Sequence, residues 1–140
     1  MRVLTKKKRI NDSQIDFLQS ILGKEFPKYM IEFLKEYAED SVVEDRFINN
    51  MNKSFHISMI CTNRMIYDYI QELKSENFGQ LIPFAVDDGG YIFCFSLNEK
   101  NFGNVLLYQT DNGYESETEA FVLVADTFEE FINGLESRES

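Results

Sequence analysis

Apolar positions along this chain recur at two different periods, which predicts a mixture of helices and strands. In residues 63–75 the period is helical, with the apolar side chains on one side. Residues 79–97 instead form two apolar runs separated by Asp87-Asp88-Gly89-Gly90. Asp and Gly supply the positive φ angles of a tight turn, so this stretch predicts a β-hairpin. Its second strand, residues 91–97, carries large side chains on both faces, which places it near the middle of a sheet.

Two amphipathic helices are predicted near the N-terminus. Ser13 is a suitable N-cap for the first helix, and Gly23 is placed to end it. The second helix begins at Pro27, a residue that suits the first helical position. Its apolar stripe consists of Phe26, Met30, Phe33, Leu34, Tyr37 and Ala38.

Further apolar runs predict strands at residues 42–48, 55–61, 105–108 and 121–125. Pro83 cannot donate to a strand ladder, so the first strand of the central hairpin should be an edge strand or carry a bulge. Asp111-Asn112-Gly113 is a strong hairpin signal between the last two strands. Because residues 121–125 are all apolar, we expect them in the sheet interior.

A capping box at the C-terminal end completes the order of elements. The Thr127 hydroxyl is placed to accept from one backbone amide, and Glu130 to reach back to another. The chain thus reads as two helices, two strands, a helix, four strands and a helix, which describes an α+β domain. We assign the domain to residues 13–136, between a basic segment (1–12) and a short tail (137–140).

Composition and charge narrow the classes of function. The chain has 140 residues, 44% of them hydrophobic, which favours one domain with a proper core. Its net charge of −10 disfavours binding a phosphate backbone over a large surface and favours a basic partner, although it could also simply keep the protein soluble. The basic run at residues 6–9 could touch nucleic acid or an acidic membrane, but a solvated terminus is favoured. No apolar segment indicates a signal peptide or membrane span, so we expect a cytoplasmic protein.

Residues with catalytic potential are scattered. Cys61 and Cys94 stand in apolar runs without metal-site spacing, which predicts buried free thiols. His56 is the single histidine and reads as a plain strand residue. Asp87-Asp88 invites a metal or acid–base role, but it lacks the spacing of a calcium loop, and a solvated turn is favoured. We therefore expect no enzyme activity, no cofactor and no metal.

The order of several short motifs resembles the SUKH superfamily, which groups yeast glucan-synthesis regulators with bacterial toxin-immunity proteins. The resemblance extends from about Ile15 to Leu135. One segment departs from it: residues 39–41 read Glu-Asp-Ser where family members often have an Asn-Gly-Gly-like turn. The motifs are Ile21-Leu22-Gly23, Glu25-Phe26-Pro27-Lys28-Tyr29, Phe33-Leu34, Leu81-Ile82-Pro83-Phe84-Ala85, Asp88-Gly89-Gly90, Cys94, and Phe121 to Ala125 followed by Thr127-Phe128-Glu129-Glu130-Phe131-Ile132.

The resemblance implies a single α+β domain with one twisted, mostly antiparallel sheet of about six strands, packed against N-terminal, middle and C-terminal helices. It also implies a protein that binds and neutralises a cognate toxin, and many such toxins are nucleases. No catalytic residue carries over from the family.

We expect a protein partner, a basic toxin domain, with no direct contact to nucleic acid or membrane, and a monomer or weak dimer. Acidic loops with aromatic anchors are the predicted contact surface. Alternatives are a regulatory or scaffolding module like the glucan-synthesis regulators and, more remotely, a small metal-dependent hydrolase using Asp87 or Asp88. The predicted partner-binding residues are Asp87, Asp88, Tyr91, Tyr114, Glu115, Glu117 and Glu119.

Overall fold

The computed structural model of the chain describes residues 10–109 and 120–136. Within these ranges the elements follow the predicted order of two helices, two strands, a helix, four strands and a helix. The helices are α1 (Asp12–Leu22), α2 (Lys28–Tyr37), α3 (Asn63–Ser75) and α4 (Phe128–Asn133). The strands are β1 (Arg46–Ile48), β2 (Ser54–Ile60), β3 (Leu81–Asp87), β4 (Ile92–Ser96), β5 (Val105–Tyr108) and β6 (Phe121–Ala125). A short 3₁₀ helix spans Glu99–Asn101.

The six strands form one antiparallel sheet whose spatial order follows the chain, β1 to β6. The predicted α+β class is therefore confirmed, and so is the central place of β4. Pro83 lies in β3, between β2 and β4, so the edge-strand alternative for it is wrong. The bulge alternative is right, because the register with β4 shifts between Pro83 and Ala85. The intervening Phe84 carbonyl accepts a hydrogen bond from the Cys61 amide at 2.9 Å.

The prediction that residues 121–125 lie in the sheet interior is wrong. β6 is the last strand of the sheet and, among the described residues, pairs with β5 alone. Val124 and Ala125 are buried, whereas the Leu123 side chain is 47% exposed. An apolar sequence indicates that a strand is covered by other parts of the protein, but it does not give the strand's place in the sheet.

Aromatic rings dominate the larger core, which lies against one face of the sheet and includes residues of all four helices. Phe84 of β3 meets Phe33 of α2 and Phe131 of α4 edge-to-face, with centroids 6.1 and 5.9 Å apart. Phe93 of β4 packs on the same Phe131 ring at 5.3 Å. Such pairs stabilise a core beyond the area they bury, so the two helices are fixed against the strands.

A smaller core covers the opposite face of β4 and β5. It contains Ile92, Cys94, Leu106 and Tyr108, together with Leu73 of α3 and Phe78. The Tyr108 hydroxyl donates to the Glu72 carboxylate of α3 at 2.6 Å, which satisfies the one polar group of this tyrosine side chain. β4 and β5, in which every residue is buried, are thus covered on both faces.

Two helix ends differ from the sequence predictions. The N-cap of α1 is Asn11 rather than Ser13: its Oδ1 accepts from the Gln14 amide at 2.9 Å, and Gln14 Oε1 accepts from the Asn11 amide at 2.9 Å. This reciprocal capping box uses Asn and Gln in place of the more familiar Ser and Glu. Pro27 was predicted to be the first residue of α2, but it is the N-cap, and α2 begins at Lys28. Gly23 ends α1 at φ +83°, as predicted.

The segment after α2 reaches the sheet through an unusual backbone conformation. Glu39 has φ +73°, in the left-handed region that residues other than glycine rarely adopt. Its amide donates to the Ile60 carbonyl at 3.2 Å, and the Ile60 amide donates to the Asp40 carbonyl at 2.9 Å. These two bonds hold the left-handed residue in place without a glycine.

Candidate functional site

The turn between β3 and β4 is built around the carboxylate of Asp87. Its Oδ1 accepts hydrogen bonds from the amides of Gly89, at 2.9 Å, and Tyr91, at 2.8 Å. The Gly90 amide donates to the Asp87 carbonyl at 3.2 Å, and Gly90 has φ +93°. This is the local side-chain-to-backbone bonding that Asp favours in turns. Asp87 therefore has a structural role in holding the turn.

Asp88 and Tyr91 present different surfaces at this turn. The Asp88 side chain is exposed, whereas Tyr91 is half-buried and packs against the larger core. The other predicted contact residues, Tyr114, Glu115, Glu117 and Glu119, lie outside the described residues. Of the predicted set, Asp88 is thus the described residue whose side chain is most exposed.

Strand register places both ends of the segment 110–119 at the same end of the sheet as this turn. Tyr108 pairs with Ile92 on one side and with Phe121 on the other. The Gln109 amide donates to the Ala120 carbonyl at 2.9 Å. We call this end of the sheet, marked by Asp87, Ile92, Tyr108 and Phe121, the turn end.

The opposite end of the sheet carries a groove that sequence reasoning missed. Its walls are the exposed rings of Tyr29 in α2 and Phe102 in the loop before β5, and Phe128 and Ile132 of α4 complete it. The groove has a volume of about 600 Å³, within the range of ligand sites. We call it the aromatic groove. The signal in the sequence was Phe102, a large aromatic residue in the otherwise polar loop 98–104.

The buried ring of Phe95 fixes the walls of the aromatic groove. Tyr29 and Phe102 each meet Phe95 edge-to-face, with centroids 5.8 and 6.1 Å apart. Tyr29 also packs on Phe128 at 6.0 Å. Since Phe95 is fully buried in β4, the two exposed rings rest on a rigid base. Partial burial raises the pKa of the Tyr29 hydroxyl above its ordinary value.

The charged residues lining the aromatic groove are all acidic. Asp126 and Glu129, both exposed, line it, and no lysine or arginine is among its described lining residues. Both carboxylates also stand at the N-terminus of α4, where the helix dipole favours negative charge. The helix dipole therefore explains the two carboxylates. It does not explain why the rings of Tyr29 and Phe102 are exposed.

The groups with catalytic potential are not brought together. His56 Nε2 lies 3.3 Å from the Ser54 hydroxyl on the same strand. Cys61 and Cys94 are buried free thiols, as predicted, and burial raises the pKa of both. In the parts of the chain that the structure describes, no three His, Cys, Asp or Glu residues are grouped so as to hold a metal ion.

Comparison with known protein families gives a match over nearly the whole chain. The model of the SMI1 / KNR4 family (SUKH-1) matches residues 9–134, nearly the whole chain. This confirms the resemblance found in the motifs. A search of curated proteins gives no match. Across residues 10–109 and 120–136, every helix is too short or too polar to cross a membrane.

Proposed function

Because the chain belongs to the SMI1/KNR4 family (SUKH-1), we propose that it is an immunity protein that binds and neutralises a cognate bacterial toxin. The family match, which covers residues 9–134, carries this proposal. Family membership supports a protein-interaction role in general, and the toxin as partner is the finer step proposed here.

The charge of the chain supports a nuclease as the toxin. A nuclease that grips phosphates has a basic binding surface, and a net charge of −10 on the inhibitor complements it. Opposite charges of this kind accelerate association and suppress wrong partners. An inhibitor that must act before a toxin damages the cell benefits from a fast on-rate.

We further propose that inhibition is stoichiometric and involves no catalysis by this chain. Its two thiols are buried with raised pKa values, which disfavours the reactive thiolate. The Asp87 carboxylate, a candidate in the hydrolase alternative, is engaged by two backbone amides of its own turn.

We propose that the toxin binds at the turn end and that its residues have different roles in binding. Asp88 and the glutamates Glu115, Glu117 and Glu119 supply charge, with Tyr91 or Tyr114 as anchors. Asp87 acts indirectly, by holding the turn that presents Asp88.

The decisive experiment co-expresses this chain with the toxin domain encoded beside it. Rescue of growth and a stable one-to-one complex would support the immunity function. No toxin neighbour, or no rescue, would contradict it and favour the regulatory module, for which an unbiased pull-down is the next step.

A charge-matched pair of variants then tests the contact surface. The first variant neutralises Asp88, Glu115, Glu117 and Glu119 to Asn or Gln and leaves Asp87 in place, so that the turn is kept. The control neutralises four exposed carboxylates elsewhere on the protein. They are Asp16 of α1, Glu32 and Glu36 of α2, and Glu76 at the end of α3. We expect the first variant to lose inhibition and the control to keep it; equal inhibition by both would rule out the turn end.

A further inference from the structure

The aromatic groove combines two exposed aromatic rings with two carboxylates. Tyr29 and Phe102 are 48% and 57% exposed, although aromatic rings are among the most favourable side chains to bury. Asp126 and Glu129 place carboxylates beside these rings, and no lysine or arginine is among the described lining residues. An occupant of the groove must therefore offer both a flat apolar surface and a positive charge.

Arginine meets both requirements. Its planar guanidinium stacks on aromatic faces and pairs with carboxylates through a fork of donors. A purely apolar occupant would bury the two carboxylates without a partner, which is costly, and an acidic one would be repelled. Lysine offers the charge but not the flat surface that the rings favour.

Elsewhere in this protein, an aromatic ring and a carboxylate are both contacted by an arginine. On α3 the Arg64 guanidinium lies over the Tyr67 ring, 6.0 Å from its centroid. The Nε of Arg64 also contacts both carboxylate oxygens of Asp68, at 3.0 and 3.1 Å. An aromatic face beside a carboxylate is thus completed there by the chain's own arginine, whereas the described lining of the aromatic groove has rings and carboxylates without an arginine.

We infer that the aromatic groove is a docking site for an arginine side chain presented by the basic protein partner. The identity of that partner rests on the proposed immunity function, while the chemistry of the groove does not. The groove and the turn end are separated by β4, whose five residues span about 17 Å. A standard interface of about 800 Å² per partner is roughly 28 Å across, so one toxin domain can reach both.

The chemistry of the groove is tested on the full chain with a peptide probe. Acetyl-Gly-Arg-Gly-amide is titrated into ¹⁵N-labelled protein, with the citrulline peptide as the neutral, equally flat control and the lysine peptide as the charged, non-planar one. We expect the arginine peptide to shift the amides of residues 102–103 and 126–129, the lysine peptide to shift them less, and the citrulline peptide to leave them unchanged. Equal shifts with arginine and citrulline, or shifts elsewhere on the protein, would overturn the inference.

The partner is tested with groove variants and matched controls. Phe102→Leu keeps an apolar side chain but removes the ring, and its control is Phe17→Leu, another exposed aromatic residue at 53%. Asp126→Asn with Glu129→Gln removes two charges, and its control is Asp16→Asn with Glu76→Gln. We expect each groove variant to weaken toxin binding about tenfold or more relative to its control, as loss of an interface anchor does.

The possible outcomes separate this inference from the proposed function. If the unaltered chain binds the toxin and the groove variants bind as well as their controls, the docking inference fails and the immunity function stands. If the unaltered chain binds no toxin, the immunity function fails, and the arginine-peptide titration alone decides the chemistry of the groove.

Discussion

Asn98 occupies the space that a side chain on Gly79 would need. Its Oδ1 accepts a hydrogen bond from the Gln80 amide at 2.8 Å, and its Nδ2 donates to the Phe78 carbonyl at 3.4 Å. It thus bridges the two residues on either side of Gly79, which has φ +90°. A Cβ atom on Gly79 would lie 2.7 Å from Asn98 Nδ2. The start of β3 and the loop after β4 are therefore joined through a position that requires glycine.

Replacing Gly79 should cost more stability than its φ angle alone explains. Gly90 provides the control, because it has a similar φ of +93° but open space around its Cβ position. We expect Gly90→Ala to lower the free energy of unfolding by about 1–2 kcal/mol through backbone strain. Gly79→Ala should lower it by about 2–4 kcal/mol, since Asn98 must also move. Urea unfolding measures both; equal losses would mean that the Asn98 bridge adds nothing.

Asp87 should contribute more to stability than its exposed neighbour Asp88. Asp87→Ala removes the acceptor of two turn amides and should lower the free energy of unfolding by about 1–3 kcal/mol. Asp87→Asn keeps an oxygen at that position and should recover most of the loss. Asp88→Ala, at an exposed side chain, should change the free energy of unfolding by less than about 0.5 kcal/mol. Chemical unfolding of the three variants tests this, and a large loss in Asp88→Ala would contradict the assigned roles.

Much of the fold was predictable because local signals agree with the tertiary structure. The helical period in residues 63–75 matches α3, and Asp87-Asp88-Gly89-Gly90 forms the turn it predicts. The error at the first helix cap arose where two local solutions compete. Asn11 and Ser13 are both good caps, and Gln14 decides for Asn11 by completing the reciprocal pair.

The aromatic groove could not be predicted, since its residues come from distant parts of the chain. Tyr29, Phe102 and Phe128 lie in α2, a loop and α4, and the buried ring of Phe95 brings them together. Sequence periodicity shows which side of an element is apolar, but it does not show that part of an apolar surface stays uncovered. The predicted acidic contact residues were chosen by charge and expected exposure, which do not distinguish Asp87, held by its turn, from the more exposed Asp88.

The buried thiols should make stability fall at alkaline pH. Burial raises the pKa of Cys61 and Cys94 in the folded state, while the unfolded chain ionises near the ordinary value of 9.0. The unfolded state therefore holds fewer protons than the folded state above pH 9, and the free energy of unfolding falls as the pH rises. Below pH 9 this contribution is fully present. We expect a loss of about 3 kcal/mol between pH 8 and pH 10, measured by urea unfolding across that range.

The double variant Cys61→Ala with Cys94→Ala is the control for this pH dependence. It will be less stable at every pH, because two buried side chains are shortened. Its stability should nevertheless change much less between pH 8 and pH 10 than that of the unaltered chain. The same pH dependence in both proteins would show that the thiols are not its source.

The contact between Arg46 and Glu136 should depend more on the backbone than on the ion pair. The amide of each residue donates to the carbonyl of the other at 2.9 Å, so residue 136 extends the sheet beyond β1. The Arg46 guanidinium also pairs with Glu136 Oε1 at 2.7 Å, but both side chains are partly exposed, which limits the pair to about 1 kcal/mol or less.

Glu136→Gln should therefore change the free energy of unfolding little. Glu136→Pro removes the amide donor and should cost about 2 kcal/mol or more. Hydrogen exchange of the Arg46 amide, which donates to the Glu136 carbonyl, should speed up in the proline variant alone. Equal exchange in both variants would show that the backbone pair does not hold this edge.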